Sequence, residues 1–311
     1  MAHLPRAQLT RYAWLSIGAA LATLAMKTAA FVLTGSVAFL SDALETVVNL
    51  GAAMVALISL SVGARPPDED HAYGHGKAEY FSSGVEGTLI VLAAIAIWAQ
   101  AVRRLLEPAP LAEPGIGIII ILLAAGINLG VGLILRRVGR RERSITLEAD
   151  GQHLLSDVLT SIGVVLAVVG VSATGWAWLD SLVAMVVGVS LVLAGTRILR
   201  RSTLGLMDTA LPAGEFGAVA AVLERYARRG VGYHALRTRQ AGARAFVSVH
   251  IQVPGGWTVQ RGHELLEKIE GDIRRILPGV TVFTHIEPAE DPVSWEDESL
   301  DRPEGGGSPG K

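Results

Sequence analysis

Cysteine is absent from this chain of 311 residues. The protein therefore has no disulfide bonds and no thiolate metal ligands, so any metal site must be built from histidine, aspartate and glutamate. Charged residues are also scarce, at 18% of the sequence, whereas a soluble domain usually carries about 25%. This shortage argues against a soluble globular protein. The formal net charge of −2 indicates no particular partner.

The apolar residues are concentrated in six long runs, each bounded by glycine, proline or charged residues. A helix needs about 20 residues to cross a bilayer, and each run is of that order. The runs lie at residues 12–33, 38–62, 80–106, 115–136, 146–172 and 178–198. The sequence predicts an α-helical membrane protein with a six-helix transmembrane domain at residues 12–205.

Lysine and arginine mark one side of this predicted domain. They occur before the first run, in the loops after runs two and four, and after run six, whereas the other three loops contain none. By the positive-inside rule both termini are expected to be cytoplasmic, with residues 1–11 as a short cytoplasmic segment. The N-terminus has no small-residue cleavage site after a short apolar core, so we expect the first run to be retained. The expected location is the inner (plasma) membrane, as a multi-pass protein.

Residues 209–289 have the composition of a small soluble domain. Amphipathic helices are predicted at residues 212–229 and 258–277, and strands at 233–240, 244–253 and 280–287. The order αββαβ is typical of a compact α+β sandwich. Residues 290–311 are acidic and rich in glycine and proline, so we expect them to form a disordered tail.

Two of the apolar runs carry ligand-type residues on one helix face. In run five, His153 and Asp157 lie four residues apart and so share a face. In run two the same periodicity links four residues: Asp42, Glu45, Thr46 and Asn49. Ionisable side chains at membrane depth are costly and normally mark an ion or proton path. Together the two sets can supply three or four oxygen and nitrogen ligands, which suits Zn²⁺ or a related metal. Alternatively Asp42 simply caps its helix, but that leaves the pair in run five unexplained.

Two further groups of candidate ligands lie outside the runs. The loop between runs two and three holds Asp68, His71 and His75, which indicate a second metal site or, alternatively, a solvated polar turn. In the soluble domain, strand alternation places His250 opposite Val249 and Ile251, outside the core. It also places His285 and Glu287 on one face. His234 and His263 complete a set of four histidines that can reach a shared surface.

Three polar residues inside other runs are interpreted as structural. They are Lys27, Glu86 and Asn128.

These motifs together resemble the cation diffusion facilitator family. The matching segments are SDALET with GQHLLSD, the loop DEDHAYGHGKAE, and then LMDTALP, HALRTRQAG, FVSVHIQV and FTHIEP. The resemblance covers residues 12–288. Members of this family are metal–proton antiporters. The resemblance therefore implies that this chain has six transmembrane helices and a cytoplasmic αββαβ domain similar to a metallochaperone.

The resemblance also implies roles for individual residues. It implies a transport site of Asp42, Thr46, His153 and Asp157, with Glu45 and Asn49 as auxiliary residues. It implies a loop site of Asp68, His71 and His75, and a cytoplasmic site of His234, His250, His285 and Glu287, with His263 joining across a homodimer. Lys77 and Asp208 match a charge interlock that holds the membrane and soluble halves of the dimer together. Thr46 and Glu287 depart from the family, in which aspartate is usual at both positions.

The implied function is proton-coupled efflux of divalent cations from the cytoplasm by alternating access, and the protein is not expected to be an enzyme. Zn²⁺ fits the ligand types first, with Fe²⁺, Co²⁺, Ni²⁺, Cd²⁺ and Mn²⁺ remaining open. No GxxxxGK[ST] phosphate loop is present, which agrees with transport driven by protons as counter-ions rather than by a nucleotide. The expected partners are a second copy of the chain, the lipid bilayer and metal ions, and not nucleic acid.

Three other functions compete with this interpretation. The first is a membrane-bound metal sensor that does not transport, although sensing alone needs no ligands at membrane depth. The second is a membrane oxidase with two irons, but His71 and His75 form the only HxxxH box. The third is a channel, which would conduct without proton coupling.

Overall fold

The computed structural model describes residues 5–34, 37–107, 116–176 and 178–296. The chain divides into two compact units, Met1–Leu206 and Met207–Lys311. Each unit is described by itself.

Among the described residues, the first unit has a short 3-10 helix (Arg6–Gln8) and then six helices that are long and apolar enough to cross a membrane. They are α1 (Thr10–Thr34), α2 (Val37–Gly63), α3 (Ala78–Leu106), α4 (Ile116–Glu142), α5 (Ile145–Thr174) and α6 (Trp178–Leu206). The predicted α-helical membrane architecture is confirmed. Helices α4 and α6 run past their predicted ends because the arginine-rich segments that follow the apolar runs also favour helix.

Glycines allow the closest helix crossings in this unit. A Cβ atom at Gly151 in α5 would lie 2.8 Å from the carbonyl oxygen of Gly132 in α4. A Cβ atom at Gly195 in α6 would lie 2.9 Å from the carbonyl oxygen of Gly87 in α3. Small residues of this kind let helix backbones pack directly against each other in a membrane. These crossings fix the positions of α5 and α3, the two helices that carry His153 and Glu86.

The second unit has the predicted order αββαβ. Its elements are α7 (Ala213–Ala227), β1 (Gly232–Ala241), β2 (Arg244–Val253), α8 (Val259–Ile276) and β3 (Val280–Pro288). The sheet order is β1-β2-β3, in which β1 and β2 are antiparallel and β2 and β3 are parallel. The predicted α+β class is confirmed.

The core of this unit lies between one face of the sheet and the two helices. Val247, Val249 and Ile251 of β2 are buried there together with Val219 of α7 and Ile269 of α8. Because strand side chains alternate, the residues between them, among them His250, lie on the opposite face of the sheet.

The segment predicted to be a disordered tail begins with a short ordered turn. Pro292–Trp295 form a 3-10 helix, whose N-terminus is capped by the Asp291 carboxylate accepting from the Val293 N–H. The rest of the predicted tail, from residue 297, lies outside the described residues.

Candidate metal centres

Three residues of the first unit form a hydrogen-bonded cluster between α2 and α5. The amide oxygen of Asn49 lies 2.8 Å from Nε2 of His153. The amide nitrogen of Asn49 donates to Oδ2 of Asp157, also at 2.8 Å. His153 and Asp157 are one turn apart on α5, as their spacing predicts, and Asn49 joins them from α2. We call this group the membrane cluster.

Two polar residues from other helices border the membrane cluster. Asn128 of α4 donates to Oδ2 of Asp157 at the long distance of 3.5 Å. Oε2 of Glu86 in α3 lies 3.3 Å from Nδ1 of His153. His153 is 7% exposed and Glu86 only 1%. The sequence predicts only structural roles for Glu86 and Asn128. The signal that identified His153, a polar residue inside an apolar run, was present at both positions.

The remaining predicted transport ligands have different surroundings. Thr46 is buried, and its hydroxyl accepts a hydrogen bond from Nζ of Lys27 in α1 at 2.9 Å. Asn49, predicted only as auxiliary, instead contacts both His153 and Asp157. The side chains of Asp42 and Glu45 lie outside the described residues. On α2, Glu45 is about one turn before Asn49 and Asp42 about two turns before it, so both share the face of Asn49. The assignment of Asp42 and Thr46 as ligands stays a prediction.

The loop between α2 and α3 brings Asp68, His71 and His75 together. Their candidate ligand atoms all lie within 4.8 Å of one another. The carboxylate of Asp68 lies 3.1 Å from Nδ1 of His71 and 3.3 Å from Nε2 of His75. Gly74, with φ 83°, lets the chain turn between the two histidines. The predicted trio is therefore in place for an ion, and its occupation stays a prediction.

The electrostatics of this loop favour an ionised carboxylate. Desolvation raises the pKa of the Asp68 carboxyl, but hydrogen bonds from the backbone and ring of His71 and the charge of nearby His75 outweigh it. The net effect is a pKa below the ordinary value of aspartate. Asp68 is therefore ready to bind a cation without first losing a proton.

In the second unit, three histidines form a row across the sheet. His234 of β1 is paired with His250 of β2, which is paired with His285 of β3. Glu287 lies beside the row and is buried. Its carboxylate is 2.7 Å from Nε2 of His234, 3.0 Å from Nδ1 of His250 and 3.5 Å from Nε2 of His285. Ligand atoms of His234, His250 and Glu287 meet the spacing needed to hold one ion. We call these four residues the sheet cluster.

His263 is exposed on α8, and within the described residues it is not part of the sheet cluster. Its contribution across a homodimer stays a prediction. Trp295 approaches the cluster instead, with its ring 6.0 Å from that of His234. The ordered start of the predicted tail thus lies against this site.

The predicted charge interlock of Lys77 and Asp208 also stays a prediction. In the first unit, Nζ of Lys77 donates to the backbone oxygen of Leu206 at 3.1 Å. In the second unit, the Asp208 carboxylate accepts from Arg239 at 3.2 Å.

Two family models together match nearly the whole chain. The cation efflux transmembrane domain matches residues 13–207, and the cytoplasmic domain of cation efflux proteins matches residues 211–289. The chain belongs to the cation diffusion facilitator family. A member of this family is a multi-pass membrane transporter for divalent cations rather than an enzyme.

The relatives of this cation diffusion facilitator include bacterial transporters. It is 51% identical over 285 residues to the uncharacterized transporter sll1263 of Synechocystis sp., with 92% of each chain covered. It is 30% identical over 256 residues to the cation-efflux pump FieF of Shigella flexneri, covering 82% of this chain and 84% of that pump. The FieF pump of Escherichia coli gives the same figures.

Proposed function

We propose that the protein exports a divalent metal ion, Zn²⁺ first among the candidates, in exchange for protons by alternating access. The observation that carries this proposal is the Asn49 amide, which contacts both the imidazole of His153 and the carboxylate of Asp157. A nitrogen, a carboxylate and an amide oxygen from two helices converge there inside a helix bundle. Such side chains at membrane depth are normally retained for ion transport.

The ligand types support a first-row divalent ion as substrate. The imidazole and carboxylate suit Zn²⁺, and the amide oxygen is a neutral ligand that harder ions such as Mn²⁺ also accept. Glu45 and Asp42 lie on the same helix face as Asn49 and complete the proposed coordination shell. Fe²⁺, Co²⁺, Ni²⁺ and Cd²⁺ are alternative substrates for the same site.

The hydrogen-bond roles in the membrane cluster support proton coupling. Because the amide nitrogen of Asn49 donates to Asp157, the group that faces His153 is the amide oxygen, an acceptor. Glu86 places a second acceptor near the other ring nitrogen. An imidazole between two acceptors suits the protonated form, in which both nitrogens donate. A metal ion needs a free lone pair on Nε2, so its binding releases a proton, and proton entry from the outer side expels the ion.

The second unit supports a regulatory role for its metal site. We propose that it lies in the cytoplasm, together with both termini, and joins two chains into a homodimer in which Lys77 and Asp208 interlock. The sheet cluster belongs to the second unit and the loop trio to the loop between α2 and α3, so ions bound there are proposed to regulate transport rather than to be transported.

Transport in proteoliposomes with an imposed pH gradient tests this function. Zn²⁺, Mn²⁺, Fe²⁺, Co²⁺, Ni²⁺ and Cd²⁺ are offered one at a time to the wild type and to Asp157→Ala. As the wild type moves Zn²⁺ into the lumen, protons should leave and the lumen should become more alkaline, and Asp157→Ala should move no Zn²⁺. Asp180→Asn is the control, since Asp180 pairs with Arg104 at 2.6 Å and lies outside the membrane cluster. Metal-proton exchange by Asp157→Ala at the wild-type rate would place the site elsewhere.

A further inference from the structure

Glu86 is a carboxylate buried in α3 with no hydrogen bond to either oxygen among the described residues. Its contact in the structure is with His153, whose Nδ1 lies 3.3 Å from Oε2 of Glu86. A carboxylate at membrane depth is costly unless it is paired, and such groups are retained for function. Glu86 is therefore a candidate functional residue.

The two nitrogens of the His153 ring face in different directions. Nε2 faces Asn49, whose amide nitrogen donates to Asp157, and Nδ1 faces Glu86. Glu86 and Asn49 thus face different nitrogens of the imidazole. An ion bound by Nε2 would lie on the side of the ring away from this carboxylate, so Glu86 is placed to act through the ring rather than as a ligand.

Close helix packing holds Glu86 in this place. Gly87, the next residue, packs against α6, and a Cβ atom there would lie 3.1 Å from the carbonyl oxygen of Gly195. Helix α3 is therefore fixed against α6 at the level of Glu86. A carboxylate on such a rigid element can define the orientation of a ring that it contacts.

We propose that Glu86 is the positioning residue of His153. Its carboxylate accepts the Nδ1–H of the ring, leaves the lone pair on Nε2, and directs Nε2 at the ion shared with Asn49 and Asp157. Metal-binding histidines usually donate their second N–H to such a partner, and loss of the partner lowers metal affinity about 10- to 100-fold. This inference rests on the proposed transport role of the membrane cluster.

A series of three conservative variants tests it. Glu86→Gln keeps an oxygen acceptor at the same reach and removes the charge, whereas Glu86→Asp keeps the charge and withdraws it by one methylene. Glu79→Gln is the matched control, because Glu79 is also buried in α3 but accepts from the Ser144 hydroxyl at 2.5 Å. All are made in full-length protein that also carries His75→Ala and His234→Ala, so that the loop and sheet sites do not contribute. Zn²⁺ affinity is measured by calorimetry in nanodiscs, and KM and kcat in proteoliposomes.

We expect Glu86→Asp to bind Zn²⁺ about 10- to 100-fold more weakly, with KM raised in proportion. Glu86→Gln should keep most of the parent protein's affinity for Zn²⁺, and Glu79→Gln should bind Zn²⁺ as tightly as the parent. Wild-type affinity in Glu86→Asp would overturn the proposal. So would a greater loss in Glu86→Gln than in Glu86→Asp, which would indicate charge rather than geometry. An equal loss in Glu79→Gln would indicate a general disturbance of α3 and would also overturn it.

Asp157→Ala in the same background separates this inference from the proposed function. If the parent moves no Zn²⁺, the transport function fails, and the binding series still decides the role of Glu86. If Asp157→Ala stops transport but Glu86→Asp binds Zn²⁺ as tightly as the parent, only the positioning role fails.

Discussion

Lys27 in α1 donates from its ammonium group to the hydroxyl of Thr46 in α2, at 2.9 Å. Both side chains are buried. A hydroxyl that accepts from an ammonium group is a poor ligand for a second cation, because the two positive charges repel each other at short range. Thr46 and Asn49 are close in sequence and both were candidate ligands. Because their contacts differ, we expect them to have different roles.

We therefore predict that Asn49→Ala weakens Zn²⁺ binding at the membrane cluster by at least about tenfold, equivalent to about 1.4 kcal/mol. Thr46→Val, which removes only the hydroxyl, should have a smaller effect. Thr46→Asp should not strengthen binding, because the new carboxylate pairs with Lys27. Calorimetry on the three variants measures their Zn²⁺ affinities and so the order of the losses. A larger loss for Thr46→Val than for Asn49→Ala would return Thr46 to the coordination shell.

Helical periodicity alone could not make this distinction. Asp42, Glu45, Thr46 and Asn49 all fall on one broad face of α2. Of the described side chains, Asn49 contacts His153, whereas Thr46 contacts Lys27 of α1. Which member of the set points to α5 and which to α1 depends on the rotation of α2 about its axis. That rotation is set by packing against neighbouring helices, which is not encoded in the spacing of residues along one helix.

At the sheet cluster too, the sequence predicts only part of the arrangement. Strand alternation predicts that His250 lies outside the core and that His285 and Glu287 share one face. The alignment of His234 with His250 also depends on a register shift between His234 and Arg237, where Ala235 has φ 49°. An irregularity of this kind moves side chains along and across a strand, and the alternating pattern contains no signal for it.

At the sheet cluster we predict that Glu287 is the most important single ligand. Its carboxylate contacts all three histidines of the row, whereas His285 is largely exposed and lies 3.5 Å away. Glu287→Gln should weaken Zn²⁺ binding to this site more than His285→Ala does. The fluorescence of Trp295, whose ring lies near His234, should change with Zn²⁺ and report the binding. Trp257→Phe is made in each variant to reduce the background signal from the same unit.

A larger loss for His285→Ala would contradict this order. It would mean that the exposed histidine moves inward when the ion binds.

Acid should weaken one hydrogen bond of the second unit. Desolvation raises the pKa of Asp272, but hydrogen bonds from Tyr226 and Arg275 outweigh it, so the pKa lies below the ordinary value. A lowered pKa in the folded state contributes stability above the unfolded pKa and loses it as pH falls through the folded pKa. Desolvation and the bond to Asp272 raise the pKa of Tyr226. The contribution of Tyr226 to the free energy of unfolding is therefore complete below about pH 10, the pKa of tyrosine in the unfolded state. It is lost as the pH rises through the pKa of Tyr226 in the folded state.

We predict that Tyr226→Phe lowers the free energy of unfolding by about 1 kcal/mol or less near neutral pH, since this bond is partly exposed. The difference from the wild type should shrink as pH falls below about 4, where carboxylates protonate. Urea unfolding of the second unit, which has its own core, measures it. Tyr233→Phe is the control, since within the described residues no hydrogen bond links its hydroxyl to a carboxylate. A difference that grows in acid would contradict the assignment.

The crossing of α4 and α5 gives a final prediction, which links packing to transport. A Cβ atom at Gly151 would lie 2.7 Å from the backbone nitrogen of Arg136 and 2.8 Å from the carbonyl oxygen of Gly132, so Gly151→Ala must push the helices apart. Gly151 is two residues before His153, and the displacement should move the ring away from Asn49. Gly126→Ala in α4 is the control, because a Cβ atom there meets no atom of the described residues within 4 Å. Alanine at such an open helical position is neutral or stabilising by about 1 kcal/mol.

Gly151→Ala should therefore lose Zn²⁺ transport and lower the melting temperature, whereas Gly126→Ala should keep both. The two readouts distinguish a general loss of folding from a local displacement of the ring. If Gly151→Ala transports normally at a temperature where it is folded, then α4 and α5 can separate without disturbing the site. In that case the orientation of His153 is set by Asn49 and Glu86 rather than by the helix crossing. Combining Gly151→Ala with Glu86→Asp would then produce a loss of Zn²⁺ affinity no larger than that of Glu86→Asp alone, because a crossing that does not orient the ring adds nothing to the loss.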